Sequence, residues 1–330
     1  MKNFNLTLII ISILFFASCG NNENDKKSEK KDTLTEKISF NEENIEIEIP
    51  FGFLSGTLLV PKVEKDKIPV VLLIAGSGPT DRNGNNQYMK NNSLKMLAEA
   101  LYKNNIATLR YDKRGIGKSK MKNLEESKLR FEDYINDASA FIKYLKKDKR
   151  FSEIIVAGHS EGSLIGMVAA RYATPGKYIS LNGAGRSADI ILKEQIGKEP
   201  TIKDAAYVII DSLVAGETVN EIPPVLNALF RKSVQPYIIS WFKYDPQKEI
   251  VKLDIPILII QGKTDIQVAE TDANLLKKAK PEADIKFIEG MNHIFKNVEK
   301  DRAKNIETYS KPDLPINKEF VKTITDFIKK

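Results

Sequence analysis

The chain has 330 residues, 42% hydrophobic and 29% charged, which is enough apolar mass to bury a sizeable core and excludes a fibrous or wholly disordered protein. Lys and Arg outnumber Asp and Glu by 51 to 44, but the excess is scattered and carries no RNA-binding or zinc-finger signature, so no nucleic-acid partner is implied. Its one cysteine rules out a disulfide within the chain and leaves a metal site without support.

Residues 1–18 read as an export signal: Lys2 precedes an apolar block from Leu6 to Ala17, and small residues follow. That block falls short of the roughly 20 apolar residues that a bilayer span requires. The stretch "FASCG" resembles the lipobox of bacterial lipoproteins, with Phe16 where that pattern usually has leucine. The resemblance implies lipidation of Cys19, which places the exported chain in the bacterial cell envelope, anchored to a membrane by its acyl chains. Residues 20–37 carry five acids and five lysines with almost no apolar side chain, so residues 19–37 are expected to be a lipidated cysteine and a disordered tether. A folded domain is expected over residues 38–330.

Within that domain "NIEIEIP" and "LSGTLLVP" alternate as an antiparallel pair joined near Gly52. The runs "IPVVLLIAG", "IATLRYD", "EIIVAG", "KYISLNG" and "IPILIIQG" then read as strands buried on both faces. Apolar residues at three- and four-residue intervals mark helices in "LKMLAEALYKNN", "FEDYINDASAFIKYLKKD", "SLIGMVAARYA" and "ETDANLLKKAKP". The alternation predicts an α/β fold: a mostly parallel sheet with helices on both faces and ligands at the carboxyl ends of the strands. From about residue 186 to 245 only helix-like segments occur, so a helical insert is expected there.

"GHSEG", residues 158–162, matches G-x-S-x-G after one strand and before one helix, the context that exposes a serine hydroxyl at the rim of a sheet beside free helix N–H groups. A serine needs a base, and the chain has two histidines. His159 is expected to point away from Ser160, which leaves His293, placed after the short strand "DIKFIEG". Asp265, directly after "PILII", is positioned to orient that imidazole; the bland alternative is that it caps the following helix. The order Ser160, Asp265, His293 is the one found in α/β-hydrolases. The turn "GSGPTDRNGNN", residues 76–86, offers backbone N–H groups, so Ser77 and Glu161 are the expected oxyanion donors. Neither that turn nor "DKRGIGKS" is spelled as a nucleotide-binding loop.

These motifs, with "YDKRGIGKS", "SVQPYIISWFKYDP", "GKTDIQV" and "MNHIFK", resemble the α/β-hydrolase superfamily, and within it a bacterial branch of exported carboxylesterases. The resemblance covers nearly all of residues 40–330. It implies Ser160 as nucleophile, Asp265 as acid, His293 as base, and the insert as a cap over an acyl pocket. The family loop often begins His-Gly, where this chain has Ala75-Gly76. Tyr237, Trp241, Phe242 and Tyr244 either line that pocket or are plain core, and Arg82 either pairs with Asp81 or orients a polar substrate. The expected activity is hydrolysis of a small-molecule carboxylic ester through an acyl-enzyme, with no cofactor. A serine peptidase or amidase on the same residues, and a non-catalytic surface binding protein, are the alternatives.

Overall fold

The computed structural model describes residues 39–64 and 67–330. The export signal, Cys19 and the tether lie outside the described residues.

Nine strands form one sheet: β1 Glu42–Ile49, β2 Gly52–Leu59, β3 Ile68–Ile74, β4 Ala107–Tyr111, β5 Lys120–Met121, β6 Phe151–His159, β7 Lys177–Leu181, β8 Ile257–Gly262 and β9 Asp284–Ile288. Their order is β1-β2-β4-β3-β6-β7-β8-β9, with the short β5 paired to β2. The first two strands pair antiparallel, β2 meets β4 antiparallel, and from β4 to β9 every pairing is parallel. Parallel neighbours need long crossovers, which the intervening helices supply.

The helices are α1 Ser93–Tyr102, α2 Phe131–Lys147, α3 Glu161–Ala173, α4 Ala188–Ile196, α5 Pro200–Val214, α6 Asn227–Phe230, α7 Gln235–Phe242, α8 Pro246–Ile250, α9 Glu270–Ala279, α10 Arg302–Glu307 and α11 Lys318–Lys329. Side chains along each central strand alternate between two cores. Val70, Leu72, Val156, Ile257 and Ile259 face the side where α2, α3 and α9 pack, while Val71, Leu73, Ile155, Leu258 and Ile260 face α1 and α11. Burying each such side chain contributes about 1.5–3 kcal/mol, so both faces of the sheet are held by their helices.

Helix α2 illustrates the local logic. Phe131, Tyr134, Ile135, Ala138, Phe141, Ile142 and Leu145 recur on its buried stripe. At its start the Asp133 carboxylate accepts the Arg130 N–H at 2.8 Å.

Between β7 and β8 the chain runs through α4 to α8, with no strand among the described residues there. Within the helical insert, the apolar stretch "VLNALFRKSVQPYIISWFKYD" is broken into α6 and α7. Pro236 sits in the first turn of α7, where its missing N–H costs nothing, and it prevents one continuous helix.

Candidate active site

Five polar residues sit beyond the carboxyl ends of parallel strands: Ser77 after β3, Lys113 after β4, Ser160 after β6, Asp265 after β8 and His293 after β9. Parallel strands all end on one rim, so residues far apart in sequence converge there.

Ser160 occupies the corner between β6 and α3 with φ 55° and ψ −122°. Such a conformation costs a non-glycine residue of order 1–3 kcal/mol and must be enforced by its surroundings. The flanking glycines permit it. A Cβ on Gly158 would lie 2.1 Å from Gly162 O, and one on Gly162 would lie 2.5 Å from both Ile74 O and Ala75 O. The helix therefore starts against the sheet at a distance that only glycine allows.

His293 Nδ1 and Asp265 Oδ2 are 2.7 Å apart, with both side chains almost wholly buried. The second oxygen, Asp265 Oδ1, accepts the Gln267 N–H at 2.7 Å and the Val268 N–H at 3.0 Å. The carboxylate thus has its own turn to hold it; α9 begins only at Glu270, so Asp265 does not cap that helix. His293 and Ser160 line one open cavity with Ser77, Asn86, Asn91, Gln267 and Tyr309. No direct hydrogen bond joins Ser160 Oγ to His293 among the described residues; in ligand-free sites such contacts are commonly long and tighten when substrate binds.

His159 is among the residues lining the same cavity as Ser160, and its Nε2–H donates to the His293 carbonyl at 2.8 Å. Burial pushes the His159 imidazole well below the ordinary histidine range, with the adjacent His293 as the next cause. Asn182 adds a second grip, donating from Nδ2 to the His293 carbonyl at 3.0 Å while its Oδ1 accepts the Gly262 N–H at 2.8 Å. Neither contact is legible in the sequence, because the shared partner is a main-chain atom more than a hundred residues away.

Ser77 and Glu161 flank Ser160 in a second open cavity, lined also by Leu164, Leu192, Trp241 and Val268. Neither Ser77 N–H nor Glu161 N–H meets a protein acceptor among the described residues. Two free donors beside a serine hydroxyl are what a developing oxyanion requires.

The remaining candidates divide. Trp241, from α7, lines the second cavity and also stacks on Phe131, with centroids 6.1 Å apart. Tyr237 is buried and donates its hydroxyl to Glu161 Oε1 at 2.7 Å, while Phe242 and Tyr244 pack against the core. Burial, with Glu161 as the next cause, raises the Tyr237 phenol well above its ordinary value. Arg82 is turned inward. It pairs with Asp112 at 2.6 Å, not with Asp81, and donates to Ser55 Oγ and Thr57 Oγ1, each at 2.8 Å. Its donors are therefore engaged inside the fold, where they bind the loop after β3 to β2 and to the turn after β4.

Residues 88–185 match the family model described as serine aminopeptidase, S33. The chain is 27% identical over 270 residues to Esterase EstD of Thermotoga maritima, a match covering 78% of this chain and 60% of that esterase. Est1E of Butyrivibrio proteoclasticus with ferulic acid bound superposes with a TM-score of 0.59 at 22% identity, over 87% of this chain and 100% of that one. The Pyrococcus furiosus esterase Pf2001 gives a TM-score of 0.56 at 16% identity, over 88% and 91% of the two chains. The α/β hydrolase GrgF of a Penicillium species gives 0.58 at 16% identity, over 88% and 98%. With its parallel sheet, its serine corner after β6 and the acid and histidine loops after β8 and β9, the chain has the α/β-hydrolase fold.

Proposed function

We propose that the protein is a serine carboxylesterase in which Ser160, His293 and Asp265 act as a catalytic triad. The observation that carries this reading is the buried 2.7 Å contact of His293 Nδ1 with Asp265, in a loop that shares one cavity with Ser160. Asp265 holds the imidazole with its proton on Nδ1, leaving Nε2 to act as base. Ser160 Oγ attacks the ester carbonyl carbon, its proton passes to His293, and the carbonyl electrons move to oxygen, where the Ser77 and Glu161 N–H groups receive the charge. The carbonyl re-forms, His293 protonates the departing alcohol, and water repeats the sequence to release the acid. The likeness to Esterase EstD supports an ester substrate, although the chain spans only 60% of that protein's length. The two cavities meeting at Ser160 fit an ester with one apolar arm, against Leu164, Leu192 and Trp241, and one hydrogen-bonding arm, against Asn86, Asn91 and Tyr309.

The decisive experiment is Ser160→Ala assayed with p-nitrophenyl butyrate, where loss of kcat on the order of 10⁶-fold is expected by analogy with serine proteases. Turnover near wild type refutes the triad. The match to a serine aminopeptidase model favours a second reading, amide cleavage on the same residues. Paired assays of an ester and the corresponding anilide separate them. We further propose export and anchoring through lipidated Cys19, a reading supported by residues 1–19 of the sequence. Labelled palmitate incorporated by the wild type and lost in Cys19→Ala is the expected result.

A further inference from the structure

Lys113 is the first residue beyond Asp112 in the turn that follows β4, and its ammonium is almost wholly buried. It donates to Gly76 O, to Gly78 O at 3.2 Å and to Glu161 Oε2 at 3.2 Å. An ammonium has three N–H donors, and all are engaged. The other carboxylate oxygen of Glu161 accepts the Tyr237 hydroxyl from cap helix α7. Burying such an ion pair is costly, and a pair of apolar residues of similar size would often be at least as stable. Stability alone therefore gives a weak reason for it.

Its placement gives a stronger one. Gly76 O and the Ser77 N–H belong to a single planar trans peptide, in which carbonyl and N–H point in opposite directions. Drawing the carbonyl onto Lys113 turns the N–H away from Lys113. Ser77 lines both cavities that contain Ser160, and a Cβ on Gly76 would stand 3.1 Å from Ser160 Cβ, so this peptide abuts the nucleophile. A cation on the carbonyl also polarises the peptide and strengthens its N–H as a donor. Glu161, at the other end of the ion pair, supplies the second free N–H from its own backbone.

We propose that the Lys113–Glu161 ion pair, clamped by Tyr237, aims the Ser77 and Glu161 N–H groups at one point, so that Lys113 is a positioning residue for oxyanion stabilisation. The proposal rests on the reading of Ser160 as nucleophile and concerns the ester reaction assigned to it. It also links the cap to the chemistry, because Tyr237 reaches the oxyanion donors through Glu161 alone among the hydrogen bonds of its hydroxyl.

The test compares a trifluoromethyl ketone, which becomes an oxyanion when Ser160 adds to it, with the matching secondary alcohol, which does not. The variant is Lys113→Met combined with Glu161→Gln, which removes both charges and leaves no buried ion unpaired; near-UV circular dichroism checks its fold. Losing an oxyanion donor costs about 10²–10³ in kcat, so a misaimed pair is expected to lower kcat/KM by about 10- to 100-fold. The ketone should weaken by the same factor and the alcohol by less than about threefold, because only the ketone carries the transition-state charge. Tyr237→Phe, which keeps the ion pair, should give the same split at smaller size, and it answers the question if the double variant does not fold. Equal weakening of both ligands, or none of either, overturns the proposal. Ketone binding that is the same in wild type and Ser160→Ala refutes instead the nucleophile on which it rests.

Discussion

His159 donates its Nε2–H to the main-chain carbonyl of His293 across 2.8 Å, with the two rings 4.7 Å apart. The residue beside the proposed nucleophile thus holds the backbone of the proposed base. Burial keeps that ring neutral by lowering its pKa well below the usual range. A histidine depressed in this way binds fewer protons folded than unfolded, so its contribution to stability is fully present above the unfolded value of about 6.5 and is lost as pH falls below it. Thermal unfolding followed from about pH 8 to 5 should therefore show a falling melting temperature on the acid side. In His159→Gln, which keeps a side-chain donor without a titrating ring, that slope should flatten. An unchanged slope assigns the acid sensitivity to other groups.

Gly158→Ala places a methyl group 2.1 Å from Gly162 O, which is backbone and has little freedom to yield. The expected loss of stability is at least about 3 kcal/mol, the upper end of ordinary overpacking. Urea denaturation measures it. A loss below about 1 kcal/mol means that α3 moves away from the sheet easily, and the strain argument for the corner fails.

Arg82→Met leaves the Asp112 carboxylate buried without its cation. Removing one partner of a buried pair typically costs about 3–5 kcal/mol. The melting temperature should fall steeply, while KM of the folded fraction for small esters stays within about twofold, since a change confined to stability leaves substrate binding intact. A selective rise in KM with unchanged stability would return Arg82 to a substrate role.

Trp241 forms part of the wall of the more apolar cavity beside Ser160, with Leu164 and Leu192. Trp241→Ala should shift the preference of kcat/KM among p-nitrophenyl esters toward longer acyl chains, by roughly tenfold between acetate and hexanoate, the scale set by extra methylenes in an apolar pocket. If the ranking of chain lengths does not move, Trp241 serves the core contact with Phe131 only.

Much of this architecture is legible in the chain. The β-branched runs become β3, β4, β6, β7 and β8, and the three- and four-residue spacing becomes α1, α2, α3 and α9, because burial on both faces and burial on one stripe leave different periods. The serine corner is equally readable, since its glycines are required locally by backbone sterics. Less legible is α11, whose buried Phe320, Ile324, Phe327 and Ile328 carry the same helical spacing without being singled out. The aromatic run of α7 also gave no means of separating Trp241, buried and lining a cavity beside Ser160, from Phe242, half-buried against the core. Both positions are apolar, and their difference lies in what the sheet presents to them.

The succession of strands and helices along the chain and the spelling of the serine corner were legible in the sequence alone, because both depend on local periodicity or local sterics. The tertiary structure alone decided that His159 and Asn182 grip the His293 carbonyl, that Arg82 turns inward to Asp112, and that Lys113 joins the loop after β3 to Glu161. Those choices are made by polar groups seeking partners once water is excluded, and the partners are main-chain atoms or charges brought close only when the parallel strands end on one rim.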